Sequence, residues 1–117
     1  MARVVALAPD LFFGSKIMET LGAAGHDVEM CATVAEVEAH VGESDLVIVD
    51  LHTEGLDPAQ LSARLGGKPL LGFYSHIDVD TRAQAEQAGF HLVVPRSRMA
   101  RDMPGLVASL LGTSDSE

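Results

Sequence analysis

A chain of 117 residues has room for one hydrophobic core and no second one. With 47% hydrophobic and 21% charged residues it is neither a disordered polymer nor a membrane protein, because no apolar run reaches the roughly 18 residues of a span. Its formal net charge of −9, from 8 basic against 17 acidic residues, sets it against nucleic acid, whose phosphates require clustered Lys and Arg.

Val4 to Ala8 reads as a first strand that ends at Pro9-Asp10, where Asp10 can cap the helix that follows. From Leu11 to Ala24 the apolar residues Phe13, Ile17, Leu21 and Ala24 keep the spacing of one buried helix face. Gly25 then sits where a helix end takes a left-handed residue. Val28 to Ala32 is the second strand. Thr33 caps a second helix through Val34, Val37 and Val41, with Glu36 completing a capping box and Gly42 ending the helix. Leu46 to Leu51 is a third strand, whose unbroken Leu-Val-Ile-Val core implies burial on both faces.

Asp57-Pro58 opens a third helix with Pro at its first position, and Gly66-Gly67 closes it. Pro69 to Tyr74 is the fourth strand. Asp78 caps a fourth helix that ends at Ala88-Gly89, and His91 to Val94 is the fifth strand. Met103 to Leu111 forms the core of the last helix, with Pro104 pointing to a late start or a turn ahead of it. The expected division is a single domain over 1–112 and a flexible polar tail over 113–117.

The single cysteine, Cys31, cannot form an internal disulfide and reads as a small buried apolar residue. No export signal is read at the N-terminus, so the expected location is cytoplasmic. Arg96, Arg98 and Arg101 form the one local basic cluster, either a solvated face or a hold on an acidic partner or anion.

Strands alternating with helices require crossover connections and a parallel sheet covered on both sides. Five such units without a Gly-rich dinucleotide turn give a flavodoxin-like three-layer α/β/α sandwich with strand order 2-1-3-4-5. Ligands of such sheets bind beyond the carboxyl ends of the strands. That rule selects Asp10 after the first strand, Asp50 and His52 after the third, Ser75 and His76 after the fourth, and Arg96 after the fifth.

Val47-Ile48-Val49-Asp50, with Gly25-His26-Asp27-Val28 upstream and Ala88-Gly89 and Val94-Pro95 downstream, resembles the CheY-like receiver domains of two-component response regulators over nearly the whole chain. The resemblance implies that Asp50 is the phosphoacceptor and that Ser75 senses the phosphoryl group. It also implies an acidic pair holding Mg²⁺ and a lysine before the strand-five proline. Here Ala8 and Pro9 fill the acidic places with Asp10 next to them, and Val94 replaces the lysine with Arg96 two residues on. Asp10 and Asp50, their carboxylates near each other at the sheet edge, could share a metal, and Arg96 could partly replace the lysine.

The expectation is therefore a degenerate receiver, or pseudo-receiver: a stand-alone signalling and protein-interaction module, not an enzyme, with impaired or absent phosphotransfer. It needs no cofactor, and its partner is a histidine kinase, an output protein or a second copy. Two alternatives stay open, a working receiver phosphorylated at Asp50 with Mg²⁺ and a small-ligand or metal-binding flavodoxin-like domain. His52 and His76 with Asp50 could make a transition-metal set, but without a third His or a His-x-His pair both histidines read rather as loop residues bonding to backbone. Asp50-Leu51-His52-Thr53-Glu54-Gly55 also fits the D-x-H-x-x-G pattern of cobalamin-binding domains, although theirs follows the first strand. Gly14-Ser15-Lys16 lacks the upstream glycine of a phosphate loop, and no G-x-S-x-G elbow accompanies Ser75 and His76. Phe12, Phe13 and Tyr74 are read either as an exposed contact patch or, with Phe73, as core.

Overall fold

The computed structural model describes residues 2–65, 67–75 and 79–115, with side chains given as far as residue 112. Five strands, β1 Arg3–Leu7, β2 Asp27–Cys31, β3 Leu46–Asp50, β4 Leu70–Tyr74 and β5 Leu92–Pro95, form one sheet in the order β2-β1-β3-β4-β5. Every pairing is parallel. The crossovers are α1 Leu11–Ala23, α2 Val34–His40, α3 Pro58–Arg64 and α4 Val79–Gln87, and α5 Arg96–Asp115 follows the last strand.

Side-chain alternation along the strands divides the interior into two layers. Val4, Ala6, Leu46, Ile48, Leu71, Phe73 and Val94 face α1 and α5, against Phe13, Ile17, Leu21, Met99 and Met103. Val5, Leu7, Val47, Val49, Leu70 and Tyr74 face the other way, against Val37 of α2, Leu61 of α3 and Ala85 of α4. Each fully buried Leu, Ile or Val contributes about 1.5–3 kcal/mol of transfer free energy, so this double-sided burial dominates the stability of the sheet.

Local chemistry sets the helix boundaries. The Asp10 carboxylate accepts hydrogen bonds from the N–H groups of Phe12 and Phe13. The Thr33 hydroxyl accepts from Glu36 N–H, and Asp57 accepts from Ala59 and Gln60 ahead of Pro58. Glu36 reaches back to Ala32 N–H, one residue earlier than the usual reciprocal box. Gly25 (φ 93) and Gly89 (φ 97) take the left-handed conformation expected at helix ends.

Several boundaries differ from the sequence reading. Ala24 is exposed and only terminates α1, because the buried stripe ends at Leu21. The second helix stops at His40, and Gly42 lies inside a 3-10 turn, Val41–Glu43. The last helix begins at Arg96, well before Met103. It breaks at Asp102 (φ −117, ψ 15), so Pro104 falls in the first turn of a resumed helix, where its missing N–H costs little. Thr113–Asp115 of the expected tail continue the helical backbone. Gly66 and the expected cap Asp78 lie outside the described residues.

Gly72, in the middle of β4, marks a close approach. A Cβ there would stand 3.0 Å from Phe90 Cδ2 and 3.2 Å from both methyls of Leu51, two buried side chains with little freedom to move. We expect Gly72→Val to lower the unfolding free energy by about 1–3 kcal/mol in urea titration, the usual effect of overpacking a filled core.

Candidate functional site

The carboxyl ends of β1, β3, β4 and β5 carry most of the polar residues selected from the sequence. The β1–β3 register pairs Leu7 with Val49, so Ala8 stands level with Asp50, and Asp50 in turn pairs with Phe73 of β4. Alternation places Asp50 on the face covered by α1 and α5, which it shares with Ala8, Phe73 and Val94, all three buried. Where the resemblance calls for a carboxylate and a lysine, the layer therefore holds a methyl and an isopropyl group.

The cation comes from the next turn. Arg96 Nη2 donates to Asp10 Oδ2 at 2.7 Å, while Asp10 Oδ1 accepts from the first turn of α1. The Arg96 guanidinium also lies 4.5 Å above the centre of the Phe13 ring, and that ring packs on Phe73 with centroids 4.9 Å apart. A stack of Arg96, Phe13 and Phe73 thus links the start of α5 to the start of α1 and to β4, beside Asp50. The bond from Arg96, together with the backbone N–H of Phe13, holds the Asp10 carboxyl below its ordinary value of 3.8.

Asp50 is turned to local use. Its Oδ1 accepts from His52 N–H at 2.9 Å, and its carbonyl accepts from both the hydroxyl (2.7 Å) and the N–H (3.1 Å) of Thr53. Leu56 N–H closes a second turn on Thr53 O, with Gly55 at φ 79 in the third position, which only glycine takes without strain. Turn geometry alone thus accounts for both the Asp and the Gly of the D-x-H-x-x-G segment. His52 is exposed on this turn, Ser75 is exposed just past β4, and His76 lies outside the described residues.

Both oxygens of Asp10 are engaged, Oδ1 by the first turn of α1 and Oδ2 by the Arg96 guanidinium. Among the described residues no three His, Cys, Asp or Glu side chains gather as a metal site. Arg98 and Arg101 both approach the single carboxylate of Asp102, at 3.8 and 3.4 Å, and both stay exposed. Phe13 and Phe73 belong to the core, as does Tyr74, while Phe12 is exposed. Leu11 and Met18, also exposed, were missed as surface features. Their signal was a second apolar stripe on the first helix, offset from Phe13, Ile17 and Leu21.

No family model and no curated protein matches the sequence. Solved structures match its fold. A CheY-like response regulator receiver domain protein from Methanospirillum hungatei JF-1 superposes with a TM-score of 0.86 at 16% identity, over 98% of this chain and 97% of that one. A response regulator receiver protein from Burkholderia phymatum gives 0.82 at 22%, over 96% of each chain. NtrX from Brucella abortus, solved in complex with ADP, gives 0.86 at 16% over 97% of this chain, which spans only 28% of NtrX. The architecture is that of CheY-like receiver domains. No helix among the described residues is long and apolar enough to cross a membrane.

Two measurements check the local chemistry. A carboxyl lowered on folding stabilises the protein fully above its ordinary value, and that contribution disappears as pH falls through the lowered native value. Carbon-detected titration is expected to place Asp10 below 3.8 in the native protein and to move it upward in Arg96→Met, which keeps the packing on Phe13. Burial, with Glu36 and Glu29 adding to it, pushes the Cys31 thiol up to about 11. Ellman's reagent should therefore label Cys31 only after denaturation.

Proposed function

We propose that this chain is a receiver-fold signalling module that acts by associating with another protein, and that Asp50 accepts a phosphoryl group poorly or not at all. The observation that carries this reading is the Arg96–Asp10 ion pair. Phosphotransfer to a carboxylate brings several negative charges together, and a divalent metal with a nearby cation ordinarily offsets them. In this chain the carboxylate nearest the required place is already neutralised by Arg96, and Ala8 offers Asp50 no second acid. The residues do not fit a Mg²⁺ site.

On this reading Arg96 supplies from within the chain the positive charge that a metal and lysine would bring, leaving the rim in one fixed electrostatic state. Regulation then has to come through association with a kinase, an output protein or a second copy, rather than through chemistry at Asp50. A reduced, buried Cys31 and an acidic surface suit the cytoplasm.

Acetyl phosphate with Mg²⁺, followed by intact-mass measurement, tests the proposal. The native chain is expected to keep its mass over hours. A gain of one phosphoryl group that disappears in Asp50→Asn would overturn the reading in favour of a working receiver.

A further inference from the structure

Among the described residues, four large apolar side chains stand well out in solvent, and three of them lie on α1: Leu11 (83% exposed), Phe12 (90%) and Met18 (45%). Leu11, Ser15 and Met18 follow the spacing of one helix face, distinct from the buried face of Phe13, Ile17 and Leu21. That outer face forms one wall of a groove of about 350 Å³, and the end of β2 with the segment after it forms the other, through Met30, Ala32 and Glu36. Gly14 belongs to the floor. A Cβ on it would lie 3.0 Å from Met30 Cε, so the absent side chain lets the Met30 methyl settle against α1. Because β2 is the edge strand, no further strand flanks this side.

Exposed apolar side chains that share a groove offer a partner surface that can be buried against it. The charge around the groove indicates what it contacts. Glu36 is the one charged side chain among the described lining residues; one of its oxygens accepts from Ala32 N–H and the other is left to the rim. The whole chain carries −9. A second copy would bring the same acids to the same rim and be repelled, whereas a basic partner would be drawn in.

We propose that the groove between α1 and β2 docks a segment of a partner protein that presents apolar side chains flanked by Lys or Arg. This rests on the reading of the chain as an association module and names the surface and partner chemistry that reading lacks. Met30 and the face of Leu11 and Met18 receive the apolar side chains, and Glu36 holds a cation at the rim.

Methionine methyl NMR on the full chain reports on the groove directly, since Met18 and Met30 line it while Met99 and Met103 are fully buried in the core. The probe is a synthetic amphipathic peptide with leucines on one face and lysines on the other, compared with the same peptide carrying glutamates for lysines. The lysine peptide is expected to shift the Met18 and Met30 methyls saturably and to leave Met99 and Met103 unmoved, while the glutamate peptide moves none. Leu11→Ser, at an exposed site, should weaken binding about tenfold, a typical loss for one apolar anchor, with the Met99 and Met103 signals showing the fold intact. The proposal is overturned if the lysine peptide leaves Met18 and Met30 in place, if the glutamate peptide shifts them equally, or if all four methyls respond alike. It is also overturned if Met18 and Met30 move with protein concentration alone, which would make the occupant a second copy. Failure here leaves the acetyl phosphate result standing, because that assay reads Asp50. Phosphorylation of Asp50 would conversely overturn the phosphotransfer reading without altering the methyl shifts.

Discussion

The Arg96 guanidinium occupies a position where three demands meet: it neutralises Asp10, covers the Phe13 ring and anchors the first turn of α5. The pair is half exposed, and partly exposed ion pairs contribute little to stability. Its importance lies in position. Phe13 rests on Phe73, and Phe73 pairs with Asp50 across β3 and β4, so the start of α1, the start of α5 and the end of β3 are joined through one stack. Removing Arg96 would leave Asp10 as a helix cap with a free oxygen at the sheet rim, the state in which a metal could compete for it.

The fold was legible because burial on both faces of a parallel sheet leaves a plain record in sequence. Leu46 to Val49 has no polar residue to face solvent, and Asp10, Thr33 and Asp57 stand immediately before apolar-periodic segments as caps. The last helix was harder to delimit. Pro104 indicated a discontinuity, but the helical stretch from Arg96 to Arg101 has few apolar residues, and Met99 alone is deeply buried within it. Tertiary contact with α1 and the sheet holds that stretch, and such support leaves no periodic trace.

The site was legible in part. The topological rule brought Asp10 and Arg96 to the same rim from places 86 residues apart, although their mutual bond was not foreseen. Asp10 was considered as a metal ligand because position alone was visible. That its two oxygens divide between a helix terminus and a guanidinium depends on side-chain direction, which spacing does not encode. Asp50 likewise stands where the resemblance places it, yet its carboxylate also nucleates the turn that follows, a role open to any Asp before such a loop. The outer face of α1 left little trace in sequence because only Leu11 and Met18, on either side of Ser15, mark it.

On the proposed reading Arg96 keeps Asp10 from a divalent cation. Calorimetric titration of Mg²⁺ into the native chain and into Arg96→Gln addresses this directly. The native protein is expected to give no saturable heat at millimolar Mg²⁺, with any gain confined to the variant. Saturable binding to the native chain that Asp10→Asn abolishes would contradict the account.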